Sequence, residues 1–571
     1  MKTGNVSVAR FFLGRSGVVW SLVPLLTLPL AWLWPNHHLP WPSAWQDGAA
    51  LAAVFAAACL CRHAGKVQWS WLAAVLIAAL SVTMQWLTGK MFFGGDALMV
   101  LLYVGAFALA LIVGAALVTE GPGSPRDRGL DAIALSTLVA ALVSVGIAGA
   151  QWTGAESLGL WATDLPPGAR PFANVSQPNH LCSLLFLALC SALLLKESGR
   201  IGRVGFWLAA SFLLLGMVIS GSRTGWLQVS LLLVLGISAA ARMRSSVRPL
   251  DLLILTAIYV AVTLAWPALN EILLLTGGRS VSEQIDGGAR MPLWLALLDA
   301  VRREPLWGYG WQQMVLAQQA VALDHPPVQR HFEHSHNLLL DLLLWAGIPV
   351  GLAICAICSS ALMRLVRCMT DARALWLVTG VLGLLLHSML EFPFEYAYFL
   401  LPAGFALGAA SALTPGLYHV SVPVWALRSA GFVGCMLLMF IALEYLQAEQ
   451  NHRQLRLESA RIGTSRIKSE APKLRLLTQL SAFLQFARTE ARPSMTIDEL
   501  NDMRQAARRF AYPSSMLRHA LGAGLNGHPE EASQTLQRLC SMHPKSRCDE
   551  ARQSWLALQR AYPVLLEVPA P

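Results

Sequence analysis

Residues 331–347 read HFEHSHNLLLDLLLWAG: His331, His334 and His336 stand within six residues and give way at once to an apolar run. Neutral imidazole accepts a proton near neutral pH, so a histidine where a loop meets a membrane can act as a general base or stabilise a transition state. Two other uses fit the string. One is metal ligation, for which Glu333 is present but no Cys and no second acidic motif. The other is interfacial polarity without chemistry.

Three arginines have a comparable setting. Arg223 sits in SGSRTGW (220–226), a Gly-Ser turn between two apolar runs with almost no loop, so its guanidinium is held near the hydrocarbon boundary, at the level of a lipid diphosphate. Arg170 and Arg290, each in a Gly/Pro-containing loop, can complete an anion clamp through charge-assisted hydrogen bonds. The bland alternative for all three is anchoring at headgroups. Gln177 and Asn179 flank Pro178, where the amides can cap the following helix. Capping leaves Gln177 and His180 unexplained, and both can hold a sugar or phosphate oxygen. In LHSMLEFPFEYAYF (386–399), His387 and Glu391 are one helical turn apart, Pro393 ends the helix, and Glu395, Tyr396 and Tyr398 follow at the outer surface, as a site or as an aromatic belt.

The elements that position these residues are membrane helices. Of the 571 residues, 55% are hydrophobic and only 13% charged, and the mean hydropathy of +0.51 excludes a water-soluble globule of this size. The sequence offers about thirteen runs long enough to cross a bilayer as α-helices. They are 16–35, 48–62, 69–88, 97–118, 130–152, 179–196, 204–221, 224–241, 250–269, 337–362, 375–392, 395–413 and 422–445. The first follows Lys2, Arg10 and Arg15 and reads as a retained helix rather than a signal peptide. Basic residues gather in alternate loops: Arg62 and Lys66; Arg126 and Arg128; Lys196, Arg200 and Arg203; Arg242, Arg244 and Arg248; Arg364, Arg367 and Arg373. By the positive-inside rule these loops and the N-terminus are cytoplasmic, and the candidate residues and the C-terminus lie outside. The net charge of +10 is therefore mostly topology, and no nucleic-acid partner is implied.

The expected organisation is all-α: N-terminal membrane helices (1–153), a membrane domain (154–445) with a long loop (270–336), and a soluble helical domain (446–571). The loop carries an amphipathic helix at about 291–303 and the Gly-aromatic turn GYGW. The tail contains one hairpin, YPSSMLRHALGAGLNGHPEEASQTLQRLCSMHP, that resembles a tetratricopeptide unit. Eight cysteines lie in or beside apolar helices, whereas Cys540 and Cys548 in the tail are close enough to pair.

The order SQPNH, SGSRTGW, GGARMPLW with GYGW, HSHNLLLDLLLWAGIPVG, then LHSMLEFPFEYAYF resembles the O-antigen ligase/polymerase superfamily over about residues 165–410. Within it, QPNH, HS…LEFP and the helical tail are most similar to the PglL-type protein O-oligosaccharyltransferases. The resemblance implies transfer of a glycan from an undecaprenyl-diphosphate-linked donor to Ser/Thr hydroxyls of periplasmic or pilin-like proteins. It implies a multi-pass protein of the bacterial inner membrane with its site on the periplasmic face, and neither metal nor cofactor. The family histidine maps onto His336, its glutamine onto Gln177 and its diphosphate arginines onto Arg223 and Arg290. The chain departs from the family's LEYP at Phe392, so the tyrosine hydroxyl there is missing, with Tyr396 or Tyr398 as substitutes. Rival readings are an O-antigen ligase acting on lipid A core, an O-antigen polymerase and, more remotely, a lipid-linked sugar transporter, whose polar residues should line a midplane path rather than gather at one surface.

Overall fold

The apolar runs form helices. The computed structural model describes residues 27–118, 127–154, 159–240, 242–243, 245–273, 290–460 and 470–571. The start of the expected span 16–35, the basic residues Lys2, Arg10, Arg15, Arg126 and Arg244, and loop residues 274–289 lie outside the described residues. In chain order the main helices are α1 (Ala44–Leu60), α2 (Trp69–Leu87), α3 (Gly94–Ala116), α4 (Asp127–Trp152), α5 (Pro178–Glu197), α6 (Arg203–Ile219), α7 (Arg223–Ala240) and α8 (Pro249–Ile272). There follow α9 (Arg290–Arg303), α10 (Met314–Val321), α11 (Leu338–Cys368), α12 (Ala372–Ser388), α13 (Ala397–Ala412) and α14 (Val424–Ser459). The tail adds α15 (Thr478–Arg488), α16 (Ile497–Arg509), α17 (Pro513–Leu525), α18 (Pro529–Met542) and α19 (Lys545–Ala561).

The protein is a multi-pass membrane protein. Among the described residues seven helices are long and apolar enough to cross a bilayer, α2, α3, α4, α5, α8, α11 and α14, and five shorter apolar helices, α1, α6, α7, α12 and α13, accompany them. Two strands, β1 (Gly65–Gln68) and β2 (His419–Val422), pair antiparallel with Gly65 opposite Val422.

The chain divides into two compact units. The first comprises residues 1–75, 103–286 and 357–439. At its centre α5 is buried along most of its length, with α4, α6, α7 and α12 packed around it. Close approach depends on small residues, as is usual where lipid offers no hydrophobic drive to associate: a Cβ on Gly383 of α12 would run into the Phe186 ring of α5. The ends of this unit differ in chemistry. At one end Lys196 pairs with Asp251 at 2.8 Å and Arg200 with Asp131 at 2.6 Å. The other end holds the N-termini of α5 and α7 and the C-terminus of α12.

The second unit comprises residues 76–102, 287–356 and 440–571. Within it α11 is broken at Gly347, whose φ of 77° and ψ of 170° are non-helical. A break inside an apolar helix frees backbone groups that hydrocarbon cannot satisfy. The Gly-aromatic turn answers them: Tyr309 N donates to Leu344 O (2.7 Å), Gly310 N to Trp345 O (3.2 Å), and Ile348 N to Pro305 O (2.7 Å). From α2, buried Gln85 donates through Nε2 to Trp307 O and Trp345 O and accepts from Trp311 N. Beside this turn, α9 buries Leu293, Leu297, Ala300 and Val301 against Met314, Ala317 and Val321 of α10 and Leu340 and Leu344 of α11.

The tail helices close onto the same loop. Val315, Leu316 and Ala322 share a core with Ala511, Met516, Leu539 and Met542, and the Arg509 guanidinium meets both oxygens of Asp96 at 2.9 and 3.1 Å. A capping box of Thr496 and Glu499 starts α16, α17 packs on α18, and a disulfide joins Cys540 to Cys548 with Cα atoms 4.7 Å apart.

Gly347 stands in a backbone region that side chains rarely enter, and an added Cβ would meet Leu306 O and, at 2.9 Å, Trp307 N. Gly347→Ala should therefore cost at least the roughly 1–3 kcal/mol of such a conformation. The expected outcome is a lower midpoint of thermal unfolding in detergent; an unchanged midpoint would show that the break can be repaired locally.

Candidate functional site

In the first unit one carboxylate gathers the candidate residues. Glu391 is buried; its Oε2 accepts from Gln177 Nε2 at 3.3 Å and its Oε1 from Asn179 Nδ2 at 3.2 Å. Asn179 Oδ1 in turn accepts from Ser222 Oγ at 2.8 Å, the residue before Arg223. Arg223 opens α7 and is half-buried at the same turn. Arg170 donates to Ser220 O (3.2 Å) and Gly221 O (2.8 Å), closing the C-terminal end of α6. The loop leading to Gln177 is pinned by Gln151, which accepts from Phe172 N and Ala173 N and donates to Thr163 O and Ala173 O. Ala173 and Ser176 both take positive φ there.

Three details differ from the sequence reading. Asn179 does not cap: α5 begins at Pro178, its N-cap Gln177 makes no side-chain cap bond, and both amides turn to Glu391. Glu391 is not on the helix of His387, because α12 ends at Ser388 and the chain bends, with Glu391 N donating to His387 O at 2.9 Å. Tyr398 is not at the outer surface; it is 2% exposed, its ring lies 5.0 Å from that of half-buried Tyr396, and its carbonyl accepts from Trp32 Nε1. The bend after Pro393 turns this segment into the unit instead of along a lipid-facing helix.

Below this layer runs a buried polar chain. His387 Nδ1 lies 2.8 Å from Ser183 Oγ, and Gln228 Nε2 donates to Ser183 Oγ (2.9 Å) and to Gly383 O (3.2 Å). His180, also buried, packs among the rings of His387, Tyr396, Phe399 and Phe392 at 4.9–6.1 Å. Its Nε2 has no hydrogen-bond partner among the described residues. Ser183 and Gln228 escaped the sequence reading, although a polar side chain inside HLCSLLF or GWLQVSLL is itself a signal, since such groups are costly in a membrane helix.

His336 and Arg290 belong to the second unit. Arg290 is the first residue of α9 and half-buried. His336 holds a φ of 58°, a left-handed conformation that histidine tolerates better than most side chains. The turn is fixed around it: Ser335 N donates to Asp341 Oδ1 (2.8 Å), Trp294 Nε1 to Ser335 O (2.8 Å), and Asn337 Oδ1 accepts from Leu339 N and Leu340 N to cap α11. The ring of His336 meets Phe332 edge-on at 5.6 Å.

The other two histidines face the tail helices. His331 stacks on His543 at 5.5 Å and lies 5.8 Å from Tyr512, whose hydroxyl donates to Glu333 at 3.3 Å. Burial, then the His543 and Arg509 charges, push His331 down to about 4. Burial, then His336 and Arg509, push His334 down to about 3. Among the described residues no three His, Cys, Asp or Glu side chains are grouped to hold a metal ion.

Comparison with known proteins agrees with this arrangement of motifs. Residues 208–355 match the O-antigen ligase family model, and residues 373–557 match the model of the C-terminal part of the virulence factor membrane-bound polymerase. The chain is 28% identical over 558 residues to a general O-oligosaccharyltransferase of Acinetobacter baylyi, covering 95% of this chain and 94% of that protein. It is 30% identical over 244 residues to the ComP-specific O-oligosaccharyltransferase of the same organism, covering 42% of this chain and 44% of the relative. The two O-antigen ligase and polymerase models and the similarity along almost the whole chain support a PglL-type O-oligosaccharyltransferase, and hence a glycosyltransferase.

Two outcomes follow from the local geometry. In Glu391→Gln one acceptor becomes a donor facing another amide, which should cost about 1–3 kcal/mol, read as a fall in the unfolding midpoint; no change would mean that Gln177 or Asn179 rotates to compensate. For His331, a folded-state value of about 4 against an ordinary 6.5 means that the unfolded chain binds more protons between those pH values. Its contribution to stability is complete above pH 6.5 and is lost as pH falls toward about 4, so His331→Gln should flatten the unfolding midpoint's pH dependence in that window.

Proposed function

We propose that this oligosaccharyltransferase moves a glycan from an undecaprenyl-diphosphate-linked donor to Ser/Thr hydroxyls of periplasmic or pilin-like proteins. The acceptor oxygen attacks the anomeric carbon, the bond to the diphosphate breaks, and direct displacement inverts that centre. His336 takes the hydroxyl proton or orients the hydroxyl. Arg223 and Arg290, with Arg170 in support, offset the charge of the leaving diphosphate, an electrostatic role for which fixed guanidinium groups suit. Gln177 and Asn179 contact the donor sugar or phosphate; His180, buried rather than open to the donor, supports that layer together with His387, Glu391, Tyr396 and Tyr398.

The observation that carries the reading is similarity to a general O-oligosaccharyltransferase along 95% of the chain. The Cys540–Cys548 disulfide supports an oxidising compartment for the tail, in keeping with a periplasmic tail; the proposed topology is thirteen spans with a cytoplasmic N-terminus and a periplasmic site in the inner membrane, argued from the alternating basic loops. In this organisation 1–153 supports a membrane domain, 154–445, and a tail from 446, containing one tetratricopeptide-like hairpin, meets the protein acceptor. A second reading, ligation to lipid A core, has in its favour the O-antigen ligase model over residues 208–355.

His336→Asn keeps a residue that tolerates the left-handed backbone and removes the basic imidazole. It should abolish transfer while expression and insertion persist. Arg223→Lys should lose most activity and weaken donor binding, because an ammonium replaces a planar fork. Transfer by purified protein with a lipid-linked glycan reads both, and near-normal rates in both variants would remove the assigned roles.

A further inference from the structure

The second unit contains a helix with two apolar faces. One face of α9, Leu293, Ala296, Leu297, Ala300 and Val301, is buried in protein. On the opposite side Met291, Leu295 and Leu298 follow one another at helical spacing and are 46–61% exposed, and Leu306 and Trp307 continue the exposed apolar surface into the Gly-aromatic turn. A helix apolar on both sides needs a second non-aqueous neighbour.

The depth of this surface is fixed by hydrogen bonds to two spanning helices. Pro305 O, Tyr309 N and Gly310 N bond to residues 344–348 of α11, six to ten residues after its start at Leu338, which corresponds to roughly 9–15 Å along the helix. On α2, Ser81 Oγ accepts from Trp311 Nε1 at 3.2 Å and Gln85 bonds Trp307 O, both before the helix ends at Leu87. The charges lie where headgroups would meet them. Arg302 continues the Leu295–Leu298 stripe by one turn and is exposed, and Lys90, just beyond α2, pairs with Glu304 at 2.8 Å.

We propose that α9 and the following turn, residues 290–311, form an interfacial platform whose Met291, Leu295, Leu298, Leu306 and Trp307 are inserted into the phospholipid leaflet on the histidine-loop side. An apolar stripe with arginine at its end is the pattern of helices that lie in the plane of the interface. The platform anchors one end of the histidine loop at a set depth, because α9 shares its core with Phe332 and its Trp294 holds Ser335 O. The inference stands apart from the proposed function, since its test measures no glycosyl transfer.

The test places p-benzoylphenylalanine at position 295 or 298 of the full-length protein, reconstituted in vesicles of phosphatidylethanolamine and phosphatidylglycerol. Leu323, 41% exposed beside Ala322, whose carbonyl bonds Ser541 of the tail, serves as the comparison position. Irradiation should yield peptides carrying one phospholipid from positions 295 and 298 and none from 323. Cross-links at 295 and 298 to a second copy of the chain, absence of any adduct there, or an equal lipid adduct at 323 would each overturn the proposal. Because all three positions are exposed, each variant should elute as the native protein does. Met291 provides a further position on the stripe with the same expected lipid adduct.

Discussion

Inside hydrocarbon a polar group has no water to turn to, so leaving one in a spanning segment without a partner in the chain is costly. The Glu391 carboxylate shows what this does to the fold. It lies where α12 ends, accepts both amides from the start of α5, and through Asn179 reaches the Ser222 turn that carries Arg223. Three helix ends that are distant in sequence are thereby held in one layer. The Gln228, Ser183 and His387 side chains extend the same principle one layer deeper.

The second unit meets the constraint with backbone rather than side chains. Gly347 breaks α11, and a turn built on Gly308 and Gly310, both at positive φ, supplies the hydrogen bonds that a continuous helix would have made internally. The groups freed by the break are thus satisfied by the turn at 305–310, and the histidine loop joins the same helix at its capped N-terminus. Asn337 caps the helix immediately after His336, while Arg509 and Asp96 clasp a tail helix to the start of α3. Removing one partner of such a buried pair typically costs about 3–5 kcal/mol, chiefly because the other charge is left buried and unpaired.

Much of this was legible in the sequence, for physical reasons. The positions of twelve apolar helices follow from run length, because a helix must be long and oily to face lipid, and α9 follows from its periodicity and from Pro305. The motif residues stood out because Arg223, His387 and Glu391 are costly where they lie. What was illegible depends on partners distant in the chain. Asn179 had a local use as a cap and instead serves Glu391, 212 residues away. Tyr398 has the composition of an interfacial belt, yet the bend after Pro393 buries it. Gln85 gave no local sign that it would satisfy the break at Gly347.

The central claim is that the chain delivers a lipid-linked glycan to a protein hydroxyl. The most direct measurement is a reaction of the purified, reconstituted protein with an undecaprenyl-diphosphate-linked glycan and two competing acceptors, a Ser-containing pilin-like protein and rough lipopolysaccharide. The account predicts label on the protein, lost when its acceptor serine is replaced by alanine. Label on the lipopolysaccharide alone would contradict it and leave ligation to lipid A core as the activity.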